Sequence, residues 1–109
     1  MESFQNSWKG LVGAWTEEEA FRQECIGAMF VIPLGLLLGR TGVERVLLIL
    51  PMLLVLLVEL INSAIEAEID RIGVERNPLS GLAKDLGSAA VLLSFVVLAT
   101  CWGLVLIGR

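Results

Sequence analysis

The sequence predicts an all-α membrane protein with three transmembrane helices and an N-terminal amphipathic helix at the membrane surface. Of its 109 residues, 56% are hydrophobic and only 18% are charged, and the mean hydropathy is +0.80. A chain of this length cannot hide so much apolar surface in a core of its own. We therefore expect a single domain, residues 1–109, whose apolar surface faces lipid.

Three stretches are apolar and long enough to cross a bilayer, which takes about 20 helical residues for about 30 Å of hydrocarbon. We place the spans at about residues 20–39, 43–68 and 86–107. Pro33 and Pro51 lie inside the first two spans, where neighbouring helices can satisfy the carbonyl groups that a proline frees. Kinks are therefore expected without a change in the number of spans. Gly35 and Gly39 form a GxxxG pattern, which indicates close helix packing.

An amphipathic helix is predicted before the first span, at about residues 3–15. Its apolar side chains recur at helical spacing and include two tryptophans: Phe4, Trp8, Leu11, Val12 and Trp15. A tryptophan-rich apolar face is typical of a helix that lies in the headgroup layer. Thr16 and Glu19 have the spacing of a capping box, which predicts that the first transmembrane helix begins there.

The distribution of basic residues predicts a cytoplasmic N terminus. Five basic residues fall on the N-terminal side of the membrane, namely Lys9, Arg22, Arg71, Arg76 and Lys84. Three fall on the other side, namely Arg40, Arg45 and Arg109. The excess favours the cytoplasm for the first group. A turn from Asp70 to Asp85, with breakers at Gly73, Asn77-Pro78 and Gly81, then also lies in the cytoplasm.

Composition excludes several classes of function. The formal charge of −4 argues against a nucleic-acid partner, because a surface that binds phosphate backbones needs clustered Lys and Arg. The absence of His excludes His-dependent triads and most zinc sites. Cys25 and Cys101 each lie in an apolar stretch, where cysteine behaves as a small hydrophobic residue. Acid–base chemistry in this chain therefore has to use carboxylates.

A stripe of polar residues follows the apolar run of the second span. On a helix, Glu59, Asn62, Glu66 and Asp70 lie within about 80° of one another, at about 100° per residue. Glu68 lies about 180° from Glu59 by the same count. The polar residues therefore lie on one face of the helix. A helix that merely became hydrophilic on leaving the membrane would have polar residues on all faces, so that explanation does not account for the pattern.

The stripe begins deep in the membrane. Counted from Arg45 as one interface, Glu59 lies about 21 Å along the helix and Asp70 about 38 Å. A carboxylate at the depth of Glu59 is costly if it faces lipid, so it is expected to face other helices or a wet cavity. Three helices enclose such a stripe poorly, whereas symmetric copies of the chain can cover it.

This pattern suits a reaction between a lipid hydroxyl group and a water-soluble phosphate donor that carries a metal ion. The deep carboxylate can accept the hydroxyl proton, and the shallower ones can hold magnesium, which prefers oxygen ligands. Phosphoryl transfer chiefly needs such positioning and charge neutralisation. The sequence contains neither GxxxxGK[ST] nor the glycine-rich loop of protein kinases, so neither of these nucleotide-binding motifs is used.

Four segments resemble the bacterial integral-membrane diacylglycerol kinases, and together they cover nearly the whole chain. They are SWKGL at Ser7–Leu11, AW followed by EAFRQE at Glu19–Glu24, ELINSAIEAEIDRIG at Glu59–Gly73, and LSGLAKDLGSAAVLL at Leu79–Leu93. The resemblance implies a homotrimer in the bacterial inner membrane, with its active sites at the cytoplasmic face. It also implies the phosphorylation of diacylglycerol to phosphatidate by ATP, with Mg²⁺ as the metal ion.

The resemblance assigns roles to individual residues. It implies that Glu59 is the catalytic base and that Glu18 and Glu66 are the metal ligands. The implied ATP-binding residues are Glu18, Glu66, Glu75, Arg76, Asn77, Lys84 and Asp85. The implied lipid-binding residues are Trp8, Val12, Gly13, Ala14, Trp15, Ala20, Phe21, Arg22, Gln23, Glu24, Arg45, Glu59, Ser88 and Trp102. Asn62 and Asp70 complete the polar stripe, and Glu68 receives no catalytic role.

Two alternative functions remain at this point. Related enzymes phosphorylate undecaprenol, and an apolar groove discriminates poorly among long lipid chains, although FRQE at residues 21–24 resembles the diacylglycerol branch. Small proton-coupled transporters also place one essential Glu within a helix. They need a binding site near the midplane, whereas the carboxylates here extend to one surface.

Overall fold

The computed structural model describes residues 2–73 and 77–109 and consists, over these residues, of four α-helices. They are α1 (Glu2–Glu17), α2 (Glu19–Leu38), α3 (Gly42–Ile72) and α4 (Pro78–Ile107). The last three are each long and apolar enough to cross a membrane. The predicted all-α fold, with three spans and an N-terminal helix, is therefore confirmed. The residues at which each helix leaves the bilayer stay a prediction.

The start of the first transmembrane helix differs from the sequence prediction. Thr16 is not a helix cap, because its hydroxyl group donates to the carbonyl oxygens of Val12, at 3.0 Å, and Gly13, at 3.2 Å, within α1. The break falls at Glu18, which has an extended backbone and makes no side-chain capping bond in the described structure. The predicted Thr16–Glu19 capping box is therefore wrong. Thr16 lies inside α1, whereas the N-cap of the next helix has to have non-helical backbone, which here is found at Glu18.

The connection between α3 and α4 is shorter than the predicted turn from Asp70 to Asp85. α3 continues to Ile72, and its C-cap Gly73 has a φ of 103°, a left-handed value that favours glycine. Asn77 caps α4 by accepting a hydrogen bond from the Leu79 amide at 2.9 Å. Pro78 then occupies the first turn, where its missing N–H costs nothing. Asn77-Pro78 therefore begins a helix, and Gly81 lies inside it.

α3 is the central helix of the bundle. It packs against both α2 and α4, whereas α1 lies against α2. Leu48 and Val55 of α3 are fully buried, and Val55 forms a small apolar core with Ala28 and Met52. Most of the other large apolar side chains are exposed. So much exposed apolar surface is expected to be covered by lipid or by further copies of the chain.

Hydrogen bonds between helices join the end of the bundle that contains Arg45. The Arg45 side chain donates to the Leu36 carbonyl oxygen at 3.1 Å, and Trp102 of α4 donates to the Leu48 carbonyl oxygen at 2.9 Å. At the C terminus, Arg109 pairs with Glu44 at 2.9 Å. These bonds fix the helices at the end away from Asp70. α2 and α3 continue through Pro33 and Pro51, so the prolines do not interrupt the spans.

Gly35 allows α2 to approach α3 closely, as the GxxxG pattern predicted. A Cβ atom at Gly35 would lie 3.1 Å from Leu48 Cβ and 3.2 Å from Ile49 Cγ1. A Cβ atom at Gly27, in the same helix, would meet nothing within 4 Å among the described residues. The two glycines therefore form a matched pair.

We expect Gly35→Val to destabilise the protein more than Gly27→Val, because only the first forces α2 away from α3. Overpacking of this kind typically costs about 1–3 kcal/mol in the free energy of unfolding. Unfolding in mixed detergent micelles, followed by far-UV circular dichroism, measures the difference, and the change in helix propensity from Gly to Val is common to both variants. Equal unfolding midpoints for the two variants would contradict the close contact.

Candidate active site

The polar stripe of α3 extends from the interior of the bundle to its end. Glu59 and Asn62 are buried, with only 6% and 9% of their surface exposed. Glu66 is half-buried, and Asp70 is exposed. The face defined by the helical spacing therefore connects a dry site to water. Glu68 lies away from this face, is exposed and pairs with Arg71.

α4 contacts the stripe at two points. Lys84 Nζ donates to Asp70 Oδ1 at 2.7 Å, across the two helices. One turn deeper, the Asn62 carboxamide packs directly against Gly87. The same carboxamide donates through Nδ2 to Glu66 Oε1 at 3.4 Å. α4 therefore lies along the stripe and closes one side of it.

Carboxylates of other segments approach Glu59. Its charge interacts with those of Glu66, on the same helix, and Glu18, at the junction of α1 and α2. The charge of Glu24, in α2, also interacts with that of Glu59. Like charges that converge in a poorly solvated place repel one another strongly. The cluster is therefore expected to bind a positively charged or hydrogen-bond-donating ligand.

Buried oxygen atoms in this cluster lack partners. Glu24 Oε2, Glu59 Oε2 and Asn62 Oδ1 are all buried, and each makes no hydrogen bond with the residues that the structure describes. Buried polar groups are nearly always paired in folded proteins. An ionised carboxylate and an amide oxygen can only accept hydrogen bonds. The site is therefore rich in acceptors and suits a ligand that supplies donors, such as a hydroxyl group.

The carboxylate oxygens of this cluster are suitable ligands for a magnesium ion that is supplied together with a nucleotide. Over residues 2–73 and 77–109, no group of three or more His, Cys, Asp or Glu side chains forms a metal site by itself. Mg²⁺ usually takes only one or two protein carboxylates and completes its shell with phosphates and water. Glu18 and Glu66, whose charges both interact with that of Glu59, offer such oxygen ligands. The residues present therefore fit Mg²⁺ without a complete protein cage.

A groove of about 660 Å³ opens between α1 and α3. Most of its lining is small or apolar, and it includes Gly10, Leu11, Gly13, Ala14, Leu60, Ser63 and Ala64. Glu18 lines the same groove. The groove therefore joins an apolar surface to the carboxylate cluster.

The predicted ATP-binding residues of the α3–α4 region are only partly brought together. Lys84 is half-buried beside Asp70, and Asp85 is exposed. The Asn77 side chain is occupied as the cap of α4. Glu75 and Arg76 lie outside the described residues.

The predicted lipid-binding residues fall into two groups. One group lies on α1 and the first turns of α2, near Glu18. In it, Ala14 and Phe21 are buried, Gly13, Arg22 and Glu24 are half-buried, and Trp8, Val12, Trp15, Ala20 and Gln23 are exposed. The second group, Arg45 and Trp102, lies at the far end of the bundle, where Arg45 is about 21 Å from Glu59 along α3. Ser88 is exposed on α4, beside Gly87. A ligand that contacts both groups must therefore extend along the helices.

Sequence analysis did not single out Gly87, which lies against the buried Asn62. In the sequence, the one feature that marks Gly87 is that it is a glycine within a predicted transmembrane helix. α4 contains other glycines, Gly81 and Gly103, whose surroundings are open among the described residues. The helix-to-helix contact that separates Gly87 from them is not encoded in local sequence.

Comparison with known proteins agrees with the resemblance. The family model described as prokaryotic diacylglycerol kinase matches residues 5–106. Diacylglycerol kinase of Escherichia coli (strain K12) is 49% identical over 100 residues, which are 92% of this chain and 82% of that protein. Diacylglycerol kinase of Haemophilus influenzae is 47% identical over 103 residues, 94% of this chain and 87% of that protein. Diacylglycerol kinase of Pseudomonas aeruginosa is 45% identical over 102 residues, which are 94% of this chain and 83% of that protein. The chain therefore belongs to the prokaryotic diacylglycerol kinase family.

Proposed function

We propose that this chain transfers the γ-phosphate of ATP to the free hydroxyl group of diacylglycerol at the cytoplasmic face of a bacterial inner membrane. The observation that carries the proposal is the polar stripe, which connects a buried carboxylate at Glu59 to an exposed one at Asp70. A lipid hydroxyl group and a water-soluble nucleotide can meet only where such a path exists. Membership in a kinase family supports this reading over the proton-coupled transporter.

Glu59 is the general base of the proposed reaction. It accepts the proton of the lipid hydroxyl group while the hydroxyl oxygen forms a bond to the γ-phosphorus atom. The bond between that phosphorus atom and the bridging oxygen of the β-phosphate breaks, and ADP leaves. The buried Oε2 atom of Glu59, which lacks a hydrogen-bond partner among the described residues, is available for the proton.

The residues nearer to water bind and orient the phosphate donor. Glu18 and Glu66 would hold Mg²⁺, which would neutralise phosphate charge when bound with ATP. Asn62 orients the Glu66 carboxylate by its hydrogen bond at 3.4 Å. Lys84 binds Asp70 of its own chain at 2.7 Å and so places a positive charge at this end of the bundle, where it can serve the stripe of a neighbouring chain in the trimer proposed below.

The groove between α1 and α3 holds the lipid. Its small and apolar lining leaves about 660 Å³ for a glycerol backbone and the start of its acyl chains. Glu18 lines this groove and its charge interacts with that of Glu59, which supports a position for the lipid hydroxyl group at the Glu18 end of the groove. The exposed Trp8 and Trp15 of α1 suit the headgroup layer.

The test of this function compares two lipids. Radiolabelled ATP is supplied with diacylglycerol or with undecaprenol in mixed micelles, and the phosphorylated lipid is identified. We expect the label in phosphatidate. If the label appears only in undecaprenyl phosphate, undecaprenol and not diacylglycerol is the substrate. If neither lipid is labelled, the proposed kinase activity is wrong.

The proposal includes assembly as a homotrimer. In the single chain α4 is hardly buried, and Asp85 and Ser88 on it are exposed. A second chain that packs against α4 and the carboxylate cluster would cover both, and cyclic symmetry would repeat the contact. We propose that α3 of one chain and α4 of its neighbour form a composite site.

Mixing of two inactive variants tests the composite site. Glu66→Leu and Lys84→Leu each remove one half of it, so each reassembled alone is expected to be inactive. Unfolding, mixing and reassembly in detergent should restore part of the kinase activity, because some interfaces then combine an intact Glu66 with an intact Lys84 of the neighbour. Cross-linking shows that the trimers are mixed. Activity that stays at background in mixed trimers would place the whole site on one chain.

A further inference from the structure

Gly87 of α4 lies where a side chain would collide with Asn62. A Cβ atom built on Gly87 would overlap Asn62 Oδ1 and lie 3.1 Å from Asn62 Cγ. Gly87 and Asn62 are both buried. Any side chain at position 87 would therefore displace the Asn62 carboxamide from its present place.

This contact orients the carboxamide. Oδ1 has no hydrogen-bond donor among the described residues and occupies the space in which a Cβ atom of residue 87 would lie. Nδ2 is then directed along α3 to Glu66 Oε1, at 3.4 Å. With Oδ1 seated against α4, the donor end of the amide is the end that meets the carboxylate.

The other glycines of α4 do not have this role. A Cβ atom at Gly81 or Gly103 would meet nothing within 4 Å among the described residues. Both are in α4 like Gly87, so they share its backbone conformation and its cost of helix formation. They are therefore matched controls for the loss of flexibility that accompanies any Gly→Ala substitution.

We propose that Gly87 is a positioning residue for phosphoryl transfer, which acts by seating Asn62 so that its amide orients the Glu66 carboxylate. The inference rests on the proposed function of Glu66 in holding magnesium with ATP. Partners that orient a ligating carboxylate typically change metal affinity or activity by about 10- to 100-fold when they are lost. Gly87 acts through two residues, so the effect belongs at the lower end of that range.

The first experiment compares Gly87→Ala with Gly81→Ala and Gly103→Ala in detergent micelles. We expect Gly87→Ala to raise the half-saturating Mg²⁺ concentration about tenfold and to leave the KM for diacylglycerol nearly unchanged. The two controls should match the unsubstituted chain. A general loss of structure would change both substrate dependences, so an equal effect on Mg²⁺ and diacylglycerol overturns the inference.

The second experiment needs no activity. The side-chain amide of Asn62 is observed by NMR in protein labelled with ¹⁵N-asparagine and is assigned from its disappearance in Asn62→Ser. Gly87→Ala and Glu66→Gln should each shift this resonance, because one moves the amide and the other changes its partner. Gly103→Ala should leave it in place. A resonance that Gly87→Ala does not move overturns the inference.

A double substitution separates positioning from packing. The test adds Gly87→Ala to a chain that already carries Asn62→Ala. If the alanine methyl group acts only by displacing Asn62, adding it to that chain should not lower the unfolding midpoint further, because the side chain with which it collides is gone. The same further loss in both backgrounds would mean that α4 cannot accept the methyl group for other reasons, which overturns the inference. Failure of the proposed function would appear elsewhere, as normal kinase activity of Glu66→Gln, whatever Gly87→Ala does.

Discussion

Glu59→Gln is expected to lower the turnover number by about 100-fold or more, the usual scale for the loss of a general base. Glutamine keeps the size of the side chain and one oxygen but cannot accept the proton of the lipid hydroxyl group. Glu59 is buried in α3, and its Oε2 atom has no hydrogen-bond partner among the described residues. The substitution therefore breaks no hydrogen bond to Oε2 within this part of the chain. ATP affinity should change little, because the proposed nucleotide site lies nearer to Asp70.

The assay for this prediction is phosphatidate formation at saturating diacylglycerol and ATP, together with nucleotide binding by equilibrium titration. Glu68→Gln is the matched control, since Glu68 is on the same helix but exposed and paired with Arg71. The unfolding midpoint of both variants should be measured to verify that the bundle is intact. Near-normal turnover of Glu59→Gln would require a different base.

Glu66→Gln is expected to lower activity by about 100-fold at a fixed, limiting Mg²⁺ concentration, and more Mg²⁺ should recover part of the loss. The physical reason is that the substitution removes one charged oxygen ligand of the proposed metal site, and such a loss weakens the binding of a hard cation. Glutamine also changes the partner of Asn62, whose Nδ2 now donates to Glu66 Oε1. The effect should therefore appear mainly in the dependence on Mg²⁺ and ATP.

Glu66 and Glu68 provide a direct comparison of the two faces of α3. They are two residues apart in sequence, yet Glu66 is half-buried in the stripe and Glu68 is exposed on the other side. Glu68→Gln is expected to be nearly silent, because an exposed ion pair contributes little to stability. Initial rates over a Mg²⁺ titration test both variants. Similar behaviour of the two would contradict the assignment of chemistry to one face.

The helices were predictable because each depends on a local property of the chain. Transmembrane length and apolar content are summed over about 20 residues, so α2, α3 and α4 follow from composition alone. The helix boundaries were less predictable. Thr16 has the spacing of a cap but is satisfied inside α1, and Asn77-Pro78, which has the composition of a turn, begins α4. At a helix end several local hydrogen-bond patterns compete at similar cost.

The polar stripe was also predictable, since Glu59, Asn62, Glu66 and Asp70 share a face by helical geometry alone. The structure confirms the order of burial that the helical count from Arg45 predicted, from Glu59 inside to Asp70 outside. It also brings Glu24 of α2 near Glu59. The resemblance had grouped Glu24 with the lipid-binding residues, but no helical spacing relates it to the stripe.

The sequence by itself determined that lipid surrounds this protein, how many spans it has and which face of α3 carries the carboxylates. Each of these follows from residues that are near one another in the chain. Only the tertiary structure decided that Lys84 binds Asp70, that the charge of Glu24 interacts with that of Glu59, and that Gly87 and not Gly81 or Gly103 lies against Asn62. These contacts depend on the relative rotation and translation of packed helices. That arrangement is determined by side-chain packing along the whole interface, so no short stretch of sequence contains it.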